Sequence, residues 1–164
     1  MRLRDLTIVA LALLLNYRSP VANDRDPSIA AEMTVYLCIV KVETTIKTCG
    51  RADPGNSTSY DKVYAKYHDE ISGAVVKIGF LIGQEARLKG IDKETLFNFV
   101  ERRVGAIGQE IERVAGLDST RFMDLCHNLP KAAAAKIGPF EPLVRRFPQE
   151  MDIIQRPGHP EKLR

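Results

Sequence analysis

A pair of carboxylates can cleave a glycosidic bond, one acting as acid and the other as base or nucleophile, when the two stand about 5–10 Å apart. Glu85, Glu110 and Glu112 are the candidates for such a pair. On a helix, Glu85 falls on an apolar stripe, where a carboxylate ordinarily takes a partner such as Arg87, Arg102 or Arg103. His68, Asp69 and Glu70 form the densest polar cluster. Sequence neighbours point apart on a helix, so these three read as a solvated face. His68, His127 and His159 show neither H-x-x-x-H nor E-x-x-H spacing, and no metal site is expected. A haem held by Met33 and His127 would need His127 on the core stripe of its helix, and it lies off that stripe. The segment GFLIGQ lacks the G-K-[ST] of a phosphate loop, and no cofactor is expected.

The cysteines are Cys38, Cys49 and Cys126. If Cys38 and Cys49 share a helix, eleven residues hold them roughly 16 Å apart, beyond the 4.4–6.8 Å between Cα atoms that a disulfide tolerates. Cys126 is then the common partner. With the first and fourth helices side by side, antiparallel and level at their ends, Cys38 comes within ~4–5 Å of the depth of Cys126, whereas Cys49 is ~12 Å out of level. The expected bridge is Cys38 to Cys126, with Cys49 to Cys126 as the alternative and Cys49 as the candidate free thiol. No C-x-x-C motif or basic cluster activates the odd thiol.

Glycines mark the second and third helices at Gly73, Gly79, Gly83, Gly105 and Gly108, each at a cost of about 1 kcal/mol relative to alanine. Close packing between helices of the same chain is the expected compensation. The Gly79 and Gly83 step also suits a partner helix, from another copy or another protein.

Four helices must position these groups. Asp26 and Pro27 read as a cap and first position, and Val35, Cys38, Ile39, Val42, Ile46 and Cys49 form one stripe up to a stop at Gly50. The turn residues of 51–59 lead to a second helix capped by Thr58 or Ser59 and ending at Gly90. Asp92 caps a third that stops at Gly116, and Asp118 a fourth that Pro130 interrupts. The fold class is all-α, a four-helix up-and-down bundle-like domain with a proline-rich C-terminal tail.

The chain of 164 residues, 45% apolar and 27% charged, matches one soluble domain. A formal charge of only +3 does not announce a nucleic-acid partner, and 7% aromatics without Trp argue against a groove for stacking sugars or bases. Arg2 and Arg4 followed by the apolar run from Leu6 to Leu15 predict a secretory signal peptide, cleaved after Ala22. Ten apolar residues are too few to cross a bilayer that needs about 20. The expected organisation is a signal peptide over 1–22, a helical domain over 23–137 and a tail, partly docked or disordered, over 138–164. The expected function is a non-catalytic binding or accessory module in the periplasm or outside the cell, with another protein as partner and no stable membrane span. The alternatives are a cell-wall glycosidase using Glu85 or Glu110 and a secreted inhibitor or immunity-type antagonist.

Overall fold

The computed structural model describes residues 27–155. The expected signal peptide, the Asp26 cap and the last nine residues of the tail lie outside them. Among the described residues the protein is all-α: α1 (Pro27–Ala52), α2 (Ser57–Leu88), α3 (Lys93–Leu117), α4 (Ser119–Ala135), α5 (Leu143–Arg146) and α6 (Pro148–Gln155). Two 3-10 turns, η1 (Pro54–Asn56) and η2 (Gly138–Phe140), join them, and no strand occurs among these residues.

The order of packing follows from α1. Its run of Val, Ile and Thr would favour a strand by propensity, but a helix apolar on all sides is stable when neighbours enclose it. Between Ala30 and Gly50 only Lys47 is exposed. Val35, Ile39, Val42, Ile46 and Cys49 are buried as the stripe requires, and Met33 and Leu37 on the other faces are buried too. Thr34 and Thr45 turn their hydroxyls back to the carbonyl oxygens of Ala30 and Lys41, each at 2.8 Å, so these two hydroxyls stay satisfied within the enclosed helix.

Helices α2, α3 and α6 pack along α1, so it is the central rod of the domain rather than one of four equal members. Helix α4 touches α1 less and lies mainly against α2 and α3. The tail supplies the remaining wall: Phe140, Phe147 and Ile154 are buried, and Phe140 meets the ring of Tyr67 edge-on at 5.6 Å. Pro139 and Pro148 stand at the starts of η2 and α6, where the missing N–H costs no helical bond.

Local signals settle most boundaries. Asp92 accepts from the Thr95 amide at 2.8 Å and the Thr95 hydroxyl at 2.6 Å, and Asp118 caps α4 by accepting from the Arg121 amide at 3.0 Å. Gly90, at φ +67°, ends the second helix as expected. Three expectations fail. Helix α1 continues past Gly50 to Ala52, because the stopping conformation was not required there and Pro54 supplies the break. Helix α2 begins at Ser57 behind η1, so neither Thr58 nor Ser59 is its cap. Pro130 lies inside α4, which runs on to Ala135 through the strongly helix-forming alanines that follow.

Candidate functional site

Glu85 and Glu110 do not converge. Glu85 is buried in the last turn of α2, three residues before its end. Glu110 lies 17 residues into α3, about 25 Å along its axis from the α2–α3 turn, and is paired with Arg113 on the surface at 2.7 Å. That separation is far beyond the span of a glycosidase pair. Glu112 instead pairs with Arg51 of α1. Glu32, which the sequence reading passed over, is a second buried carboxylate, on α1.

The histidines separate as well. His68 stacks on Tyr64 and its Nδ1 lies 2.9 Å from Glu43, joining α2 to α1. His127 reaches Asp53 at 3.3 Å. Met33 stands 16 residues, about 24 Å, up α1 from the disulfide beside His127, so the two cannot share a haem. Among the described residues no group of His, Cys, Asp or Glu gathers closely enough to hold a metal ion.

The bridge joins Cys49 to Cys126, with S–S 2.03 Å and Cα–Cα 5.4 Å, and the free thiol is Cys38. The expected Cys38–Cys126 pairing and the free Cys49 are thus corrected. That pairing requires a fourth helix alongside the first with level ends. Instead α4 meets the C-terminal end of α1 at its middle and then runs beside α2, as the His127–Asp53 contact midway along it and the Lys136–Glu70 contact just past its end show. Cys38 lies eleven residues up α1, beneath the tail. Burial pushes its thiol up, against the opposing pull of Arg146 and Lys41, so it stays protonated and is not activated.

Asp53 is the polar clasp beside this disulfide. Its Oδ2 accepts from Asn56 at 2.9 Å and from the Tyr60 hydroxyl at 3.0 Å, in addition to the His127 contact. The Asn56 hydrogen bond holds the Asp53 carboxyl below the ordinary carboxylate range; burial opposes it, and Tyr60 and His127 add to it. Burial and the bond to Asp53 push Tyr60 up to about 12. A lowered carboxyl stabilises the fold above its unfolded value, and the stabilisation is lost as pH falls through the folded value. Asp53→Asn is therefore expected to flatten the fall in thermal midpoint between about pH 5 and 2, read by circular dichroism. An unchanged acid slope would remove Asp53 as the clasp.

A shallow groove of about 450 Å³ opens between the end of α1 and the start of α2, lined by Lys47, Arg51, Tyr60 and Tyr64 among others. Lys47 caps the Tyr64 ring at 4.5 Å and Arg51 is engaged by Thr48 and Glu112, so the cationic groups are already occupied within the chain.

The glycine face is the remaining candidate. A Cβ built at Gly73, Gly79, Gly83, Gly105 or Gly108 would meet nothing within 4 Å, so the expected close packing inside the chain is not their role. Beside Gly79 and Gly83 on α2 stand Val76, 73% exposed, and Phe80, 62% exposed. Leu88 and Ile91 at the α2–α3 turn and Phe97 near the start of α3 are exposed too. With open space at each glycine, Gly79→Ala and Gly83→Ala are each expected to raise monomer stability by about 0.5–1 kcal/mol in urea unfolding. A loss of stability would restore the packing role.

Comparison of the chain with known protein families, with curated proteins and with solved structures gave no match to any of them. The described residues contain no helix long and apolar enough to cross a membrane.

Proposed function

We propose that the protein is a non-catalytic binding module that works outside the cytoplasm through the outward face of α2. The observation that carries this reading is the pair of large apolar side chains, Val76 and Phe80, held in the open beside Gly79 and Gly83 on the side of α2 away from the core. The site outside the cytoplasm is supported by the Cys49–Cys126 disulfide, a bond that persists in oxidising compartments, and by the basic and apolar leader in the sequence. The separation of Glu85 from Glu110 leaves the glycosidase reading without its carboxylate pair.

A photo-cross-linking phenylalanine analogue placed at position 80 tests the reading, with Arg121 on α4 as the control position. The expected result is a covalent adduct from position 80 and none from position 121, on a chain recovered outside the cytoplasm with its leader removed. No adduct from position 80 would end the proposal for the face. Recovery of the full-length chain in the cytoplasm with three reduced cysteines would end the proposal for the location.

A further inference from the structure

Residues 69, 73, 76, 80, 83 and 87 of α2 are spaced alternately by four and three, the interval of a coiled-coil seam. At about 100° per residue all six lie within roughly 40° of one line along the helix. Ile71, Ile78, Ile82 and Glu85, which face the core, lie on the opposite side. The seam reads Asp69, Gly73, Val76, Phe80, Gly83, Arg87, and all are exposed except Gly83, which is half-covered. Its middle is apolar, its glycines are open, and its ends carry opposite charges. Neither Asp69 nor Arg87 has an ion-pair partner among the described residues.

The order of these residues selects the occupant. When two copies of α2 lie antiparallel about a two-fold axis level with residue 78, Phe80 of each stands opposite Val76 of the other. The same register sets Gly73 opposite Gly83 and Asp69 opposite Arg87, so one two-fold operation matches size with size and charge with opposite charge. A parallel pair would set Asp69 against Asp69 and Arg87 against Arg87. We infer that the outward face of α2 is a self-association seam, and that its partner is a second copy of this chain in antiparallel register. The inference rests on the binding role proposed for this face and names its partner.

Phe80 and Val76 meet across the axis, and where Gly73 faces Gly83 no Cβ on either helix limits the approach. Only Val76 and Phe80 contribute large apolar surface from each copy, so the association is reversible and concentration-dependent rather than obligate. Lys77, on the flank of the seam and nearly level with the axis, comes close to its own copy, and its positive charge opposes pairing. Lys77→Gln is expected to tighten the pair and to reduce its dependence on salt.

Sedimentation of the mature chain across a concentration series, with the disulfide intact, tests the inference. The expected result is a monomer–dimer equilibrium that Phe80→Asp weakens by about 100-fold. Phe80 is mostly exposed, so the variant keeps the parent's thermal midpoint, which is measured alongside. Asp69→Arg alone and Arg87→Asp alone each weaken the dimer, and the two together restore it, a result that only the antiparallel register gives. In a Cys38→Ala background, Gly79→Cys forms a covalent dimer under mild oxidation while Arg121→Cys does not. A monomer at every soluble concentration, or single charge variants that the double variant fails to rescue, overturns the inference. If the chain is monomeric but position 80 still yields an adduct with a different protein, the second copy is excluded and the binding face stands. If position 80 yields no adduct of any kind, both fall.

Discussion

Replacing Cys49 and Cys126 together by alanine is expected to lower the free energy of unfolding by about 4–5 kcal/mol. The bridged residues are 77 apart, and a cross-link closing a loop of that length removes about this much chain entropy from the unfolded state. Both cysteines are 0% exposed, so the thiol side chains also fill core volume, and the alanines add a cavity. Cys38→Ala serves as the comparison. It removes a half-buried thiol that bridges nothing and is expected to cost about 1 kcal/mol. Urea unfolding with and without reductant separates the contributions: reductant should destabilise the parent and leave the double variant unchanged. Equal stability of the parent and the double variant in the absence of reductant would show that the bridge contributes nothing.

The second large effect is expected at Phe147. This ring is buried at the junction of α5 and α6, where the tail crosses to α1, and Arg146 beside it both covers the ring at 5.0 Å and donates to Pro139 O at 2.7 Å. Phe147→Ala is expected to cost about 3–5 kcal/mol. The loss should fall first on the tail, because α6 can lift from α1 while the disulfide and the Asp53 clasp still hold the other end. Cys38 reports this directly, since Arg146 and Glu150 of the tail stand beside it. Its labelling by a thiol reagent under native conditions should accelerate by about 100-fold or more, with helicity little changed. Unchanged labelling together with a lower global midpoint would mean that tail and body unfold as one unit.

These effects indicate which parts of the molecule could be read from its sequence. Helix class and most boundaries were legible because they depend on near neighbours: Asp92 three residues before Thr95, Asp118 three before Arg121, and the stripe from Val35 to Cys49. The disulfide partner was not, because it depends on which helix α4 lies beside, and spacing within a helix does not encode that. The docked tail was half hidden for a related reason. Frequent prolines suggested irregular chain, yet Phe140, Phe147 and Ile154 supply three separate anchors, and two of the prolines sit where they start helical turns. The glycines were legible as a cost but not as a location. Only the three-dimensional arrangement shows that Gly79 and Gly83 look away from the chain's own helices.

The enclosure of α1 also governs when the fold can form. The first described helix is completed by the last, because α6 closes over a rod whose other walls are α2 and α3. Nothing N-terminal to Phe147 covers the face of α1 that α6 closes, so a chain arriving from its N-terminus leaves that one face of its core open until nearly all of it has emerged. Cys49 likewise waits 77 residues for Cys126. Contacts so distant in sequence make folding slow relative to a bundle of local hairpins. Under the location proposed above, the bridge can close only after Cys126 has followed Cys49 into the oxidising compartment.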